Sequence, residues 1–132
     1  MYTEEDIMQY VQSEEFFEDR AVIIQEGGYS TWAYVILEGK VILRKKTAKG
    51  IAKLATLEEG AIFGELVLFS KEREMARTAS AIADGPVALG VLDGHRIVED
   101  FGKLSPQMRK FISTLVKRLI NATKTLVDLL PK

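Results

Sequence analysis

The stretch Ile62-Phe63-Gly64-Glu65-Leu66-Val67-Leu68-Phe69, followed after a polar loop by Arg77-Thr78-Ala79-Ser80-Ala81, is the most informative part of the chain. A glycine precedes an acid that opens a short apolar turn, and an arginine then starts a strand-like run. These residue types suit an anion. Gly64 has no side chain, so a ligand can approach the backbone closely. Amides at a helix start point outward and carry partial positive charge. Arg77 offers a planar fork that matches two phosphate oxygens, and Thr78 adds a hydroxyl donor. Glu65 would repel a phosphate, so it suits a group that needs an acceptor, such as a sugar hydroxyl. A ligand with both a phosphate and a ribose hydroxyl satisfies the set. The alternative is a surface ion pair between Glu65 and Arg77, worth no more than about 1 kcal/mol. These two residues alone leave both readings open.

Outward from this stretch, residues 21–92 alternate short apolar runs with turn residues. Strands are expected at Ala21 to Ile24, Ala33 to Leu37, Val41 to Leu43, Ile51 to Leu57, Thr78 to Ala83 and Val87 to Leu92. The punctuation is mostly glycine: Gly27-Gly28, Gly39, Gly50, Gly60, Gly64 and Asp84-Gly85-Pro86. Many short strands at this spacing predict an antiparallel sandwich or barrel. Glu38-Gly39 reads as a tight hairpin between two of them. The run Arg44-Lys45-Lys46-Thr47-Ala48-Lys49 reads as a basic, solvated hairpin tip. Trp32 and Tyr34, at a strand start, read as core or rim packing.

Helices are expected on both sides. Thr3 with Asp6 resembles an N-cap, and Ile7, Tyr10, Val11, Phe16 and Phe17 extend one or two short helices through residues 1–20. Asp93 caps a short helix with Ile97, Val98 and Phe101, stopped by Gly102; His95 beside it reads as exposed or capping. Ser105-Pro106 then starts a long helix, with serine as cap and proline at the first helical position. Met108, Ile112, Leu115, Leu119, Ala122, Leu126 and Leu129 form a heptad seam on it. Pro106 to Leu130 makes about 37 Å of helix, more apolar surface than a small barrel covers. The expectation is a homodimer through residues 106–130.

The chain has 132 residues, the size of one domain, and is 47% hydrophobic and 28% charged, which is a globular composition. Lys and Arg number 18 against 19 Asp and Glu, a net charge of -1, without the electrostatic pull of a nucleic-acid binder. There is no Cys and one His, which excludes disulfides, thiol nucleophiles and clustered-His metal sites. The acidic start lacks a signal peptide, and no run is long and apolar enough to span a membrane, so a cytoplasmic location is expected.

The segment resembles the phosphate-binding cassette of the cyclic nucleotide-binding domain family. Its pattern is roughly Phe-Gly-Glu-Leu-Ala-Leu, a loop, then Arg-Ala/Ser/Thr-Ala, matched here by Phe63 to Leu68 and Arg77 to Ser80. Ile23-Ile24 with Glu26-Gly27, Tyr34-Val35-Ile36, Gly39-Lys40-Val41 and Leu57-Glu58-Glu59-Gly60 extend the resemblance over about residues 15–130. It implies an α+β fold: an antiparallel β-roll (a jelly-roll-like barrel) at 21–92 with the cassette at 62–80, a short N-terminal helical segment and C-terminal helices at 93–130. It implies cAMP or cGMP as ligand, with no other cofactor. Phe63, Gly64, Glu65, Leu66, Arg77, Thr78 and Ala79 would line the phosphate and ribose. Glu65 would accept from the ribose 2'-hydroxyl and Arg77 would pair with the phosphate. Thr78 and the amides of Ala79 and of Gly64 to Leu66 would add donors.

The departures from the pattern are local. The loop Leu66 to Ala76 is longer than in compact members, and Ala76 stands where a proline often precedes the arginine. Gly27-Gly28 lacks the acid of the family's glycine-acid turn. Ala122 aligns with a threonine that contacts adenine in some members, leaving the adjacent Asn121 and Thr123 as candidates. Thr78 resembles the threonine of cGMP-binding members. The expectation is a single-domain sensor, not an enzyme, with no DNA-reading element after the long helix, either standing alone and acting on a partner or forming the sensor part of a longer protein. The competing reading is a dimerisation module whose pocket no longer binds nucleotide. A cupin-type metal enzyme needs several His ligands, and the chain has only His95.

Overall fold

A computed structural model describes residues 4–28, 32–64 and 79–129. Helix α1 (Glu4–Met8) leads into β1 (Val11–Phe17) and β2 (Val22–Ile24). Then come β3 (Tyr34–Thr47), β4 (Gly50–Leu57), β5 (Ile62–Phe63) and β6 (Ser80–Leu92). Helices α2 (Gly94–Gly102) and α3 (Pro106–Asp128) close the described chain. One six-stranded sheet runs β1-β6-β3-β4, with β2 also on β6 and β5 also on β3. Every pair is antiparallel. This is the jelly-roll type of fold that the sequence implied.

The N-terminal segment corrects one expectation. Helix stops at Met8, and residues 11–17 form a strand paired with β6, from Val11 opposite Leu92 to Phe17 opposite Val87. The sheet therefore begins ten residues before the expected Ala21. Residues 12–16 are exposed, so no alternating apolar face announces the strand. Backbone pairing to β6 holds it, and such pairing overrides local propensity. Phe17 packs on the core while Phe16 stays 75% exposed.

Two expected breaks are bends inside continuous strands. Residues 38–39 are no hairpin: β3 runs through them with register shifts on either side of Glu38. Likewise residues 80–92 form one strand, not two parted by Asp84-Gly85-Pro86. The bends face each other, since Glu38 pairs with Ala88 and Lys40 with Asp84. Gly39 has φ +93, and a Cβ there would lie 2.5 Å from the Pro86 carbonyl oxygen. Only glycine permits both the conformation and the contact. Asp19 braces the other bend by accepting from the Gly85 amide at 2.7 Å. The bends let β3 and β6 serve both halves of the roll.

Alternation along β6 builds two cores. Val87, Leu89 and Val91 join Ile24, Tyr34, Ile36, Val41 and Phe63 inside the roll. Leu92 joins Ala33 and Val35 in a second cluster, covered by Ile7, Tyr10, Val11, Leu37 and Ile97. Each fully buried Val, Leu or Ile contributes about 1.5–3 kcal/mol. The second cluster seats α1 and α2 on the same side of the sheet.

The helix starts match the sequence signals. Asp93 accepts from the Arg96 amide at 3.1 Å, and Ser105 Oγ accepts from the Met108 amide at 3.2 Å. On α3 the exposed apolar row shares Met108, Leu115 and Leu119 with the expected seam and has Phe111 in place of Ile112. Met108, Phe111, Leu115 and Leu119 are 48–61% exposed, whereas Ile112 is half-buried.

Candidate functional site

Both roots of the segment 62–81 are fixed by β3. At the first root, β5 pairs Ile62 with Val35 and Phe63 with Tyr34. The turn before it is closed by the Ala61 amide on Glu58 O at 3.0 Å and tied to β3 by the Gly60 amide on Ile36 O and the Ile36 amide on Ala61 O, each 2.9 Å. Phe63 is 3% exposed and stacks on Tyr34, ring centroids 5.3 Å apart and planes at 24°. Such a pair adds about 0.5–1.5 kcal/mol beyond burial. Gly64 follows with φ +77, where the chain leaves the strand.

At the second root, half-buried Ala79 leads into Ser80, which opens β6 opposite Arg44. Ser80 is only 8% exposed, and its Oγ accepts from the Glu26 amide at 2.9 Å. Glu26 lies in the turn Gln25–Gly28, closed by the Gly28 amide on Gln25 O at 2.9 Å. With φ +81 at Gly27, this is a type II turn, which needs glycine at that place.

The Glu26 carboxylate joins this root to the β3–β4 hairpin. It accepts from the Lys46 amide at 3.0 Å and from Lys45 Nζ at 3.3 Å. Among the described residues the β3–β6 register ends at Arg44, and Glu26 supplies an acceptor for the Lys46 amide beyond it. Partial burial disfavours the Glu26 charge. The bonds from Lys46 and Lys45 and the two lysine charges outweigh it, holding the carboxyl below its ordinary pKa. The hairpin tip is the expected turn, closed by Thr47 Oγ1 donating to Gly50 O at 2.7 Å.

Of the expected site residues, Phe63, Gly64 and Ala79 stand at the two roots. Glu65, Leu66, Arg77 and Thr78 lie outside the described residues, as does the side chain of Thr123. Asn121 is exposed on α3. Positions 121 and 123 are two apart on a helix and so do not share a face. The bracing by Glu26 and Ser80 was not visible in the sequence: the partners are 54 residues apart, and no motif links them.

Other candidates resolve simply. His95 is exposed, with Nδ1 3.8 Å from Glu99. Trp32 is half-exposed, at the rim. Among the described residues no three His, Asp or Glu side chains are grouped to hold a metal ion. Among them, too, no helix is long and apolar enough to cross a membrane.

Comparison with known proteins agrees with this architecture. Solved structures of the EAL enzyme Bd1971 are similar in both a cAMP-bound and a cGMP-bound form. The first shares 26% identity with a TM-score of 0.72, covering 86% of this chain and 30% of that one. The second shares 27% identity with a TM-score of 0.73, covering 88% of this chain and 30% of that one. This chain thus spans 30% of the length of those Bd1971 chains. The catabolite activator protein of Thermus thermophilus shares 25% identity with a TM-score of 0.65, covering 96% of this chain and 58% of that protein. No match was found among curated proteins. The family model for the cyclic nucleotide-binding domain matches residues 14–99, which contain both roots and the segment between them. The chain belongs to the cyclic nucleotide-binding domain family.

Proposed function

We propose that this domain is a cytoplasmic sensor that binds cAMP, with cGMP as the second candidate, and passes occupancy to α3. The family match across residues 14–99 carries the reading, because it includes the Gly64-Glu65 and Arg77-Thr78 pairs. Bd1971, at 26–27% identity, has been captured with each of the two nucleotides. Glu65 would hold the ribose 2'-hydroxyl. Arg77, Thr78 and the amides of Gly64 to Leu66 and of Ala79 would hold the cyclic phosphate. Asn121 or Thr123 would meet the base. A charge-assisted bidentate pair to a phosphate is among the stronger hydrogen-bonded contacts available.

The exposed row Met108, Phe111, Leu115 and Leu119 supports a homodimer through α3. Ligand contact near residues 121–123 would then bias the arrangement of that helix. The role is regulatory, exerted on a partner or on another part of a longer protein. The same exposed row also favours the rival reading, a dimerisation module with an empty pocket.

Thermal unfolding separates the two. The sensor reading expects cAMP or cGMP, but not 5'-AMP, to raise the melting temperature by about 10 °C at hundredfold excess over Kd. An unchanged midpoint with both cyclic nucleotides favours the rival.

A further inference from the structure

Glu26 and Ser80 stand outside the expected ligand shell, yet they hold its edge. The β3–β6 register ends at Arg44 and Ser80. Among the described residues, two fastenings stand next to Ala79 at this root: the pairing of Ser80 with Arg44 and the bond from the Glu26 amide to Ser80 Oγ. Glu26 is itself held from two further directions. The type II turn fixes its backbone, and Lys46 N and Lys45 Nζ fix its carboxylate. Lys45 and Glu26 are largely buried for an ion pair, with side-chain exposures of 19% and 22%. A connected path thus runs from the β3–β4 hairpin through Glu26 and Ser80 to Ala79.

We infer that Glu26 and Ser80 are positioning residues that aim the Ala79 amide at the ligand's phosphate, so that the β3–β4 hairpin supports phosphate recognition. This rests on the cyclic-nucleotide reading proposed above. A backbone donor acts only when its N–H points at the acceptor, and bonds weaken steeply as the angle falls. A rotation at residue 80 would turn that amide away from one exocyclic phosphate oxygen. The two exocyclic oxygens can be told apart, because the Rp and Sp phosphorothioate analogues of cAMP carry sulfur on one or the other.

The test titrates the full chain and its variants calorimetrically with cAMP and with each diastereomer, after thermal melts confirm folding. Ser80→Ala should weaken cAMP about tenfold and change the ratio of Rp to Sp affinities. Ser80→Thr, which keeps the hydroxyl, should restore both. Glu26→Gln, which keeps the shape and loses the charge, should move both quantities in the same direction by less, and it carries the test if Ser80→Ala does not fold. An unchanged ratio in Ser80→Ala, with or without a loss of affinity, overturns the inference and leaves the proposed function standing. A wild-type chain that binds no cyclic nucleotide overturns the proposed function itself.

Discussion

The Tyr10 hydroxyl donates a 2.7 Å hydrogen bond to Asp100 Oδ2, tying the segment before β1 to the C-terminal half of α2. Three further contacts tighten the join. Arg96 lies over the Tyr10 ring, 5.5 Å from its centroid, and donates to Gln9 O at 2.7 Å. The Asp93 amide donates to Tyr10 O at 2.7 Å. The segment before β1 thus meets the helix that leads into α3.

Removing this bond should cost stability in a pH-dependent way. Tyr10→Phe is expected to lose about 1–2 kcal/mol at pH 8. The hydrogen bond to Asp100, then partial burial, then the Asp100 charge raise the Tyr10 pKa, against a smaller opposing effect of Arg96. A raised folded pKa means that the contribution is whole below the unfolded value near 10 and is lost as pH rises through the folded value. Urea midpoints of the two proteins should therefore converge above about pH 10.

Glu26 should show the opposite sign. Its folded pKa is lowered, so its contribution is whole above the ordinary carboxylate range and fades as pH falls through the folded value. Glu26→Gln should lose about 1 kcal/mol at pH 7. Its melting temperature should approach wild type as pH drops below about 4. A gap that stays constant with pH would show that the charge is not what stabilises the turn.

The paired bends predict a sharp intolerance at residue 39. Gly39→Ala must adopt φ +93 and place its Cβ against the Pro86 carbonyl. The expected cost is at least about 2 kcal/mol, read as a lower denaturation midpoint. Substitution at Gly50, with φ +117 but nothing within 4 Å, should cost less.

Leu115 tests the proposed dimer. It stands in the exposed row of α3, so Leu115→Glu removes apolar contact without disturbing the roll's core. Light scattering should give a dimer for wild type and a monomer for the variant. The melting temperature of the monomeric roll should move little.

Much of this molecule was legible before folding. The glycines at turns 27–28, 50 and 60, the Asp93 cap and the Ser105-Pro106 helix start are local signals found in place, whereas Gly39 and Gly85 sit in bends of continuous strands. Phe63 and Gly64 belong to one short motif, and the structure adds that Ile62–Phe63 pairs with β3 there. What stayed hidden depends on distant partners. The strand Val11–Phe17 has no alternation, because its middle residues face solvent and its hold is β6 backbone. Glu38-Gly39 looked like a hairpin because a bend and a tight turn both draw on the positive φ of glycine. Only the pairing of Glu38 and Lys40 with β6 tells the two apart. Glu26 reads as an ordinary turn residue until Ser80 and Lys46 arrive beside it.

The central claim is most directly tested by calorimetric titration of the wild-type chain and Arg77→Ala with cAMP and cGMP. Saturable binding of one of them is predicted, at one site per chain, with the variant weakened roughly a hundredfold by loss of a charged partner. No heat of binding from either nucleotide at millimolar concentration, or equal affinity in Arg77→Ala, would contradict it.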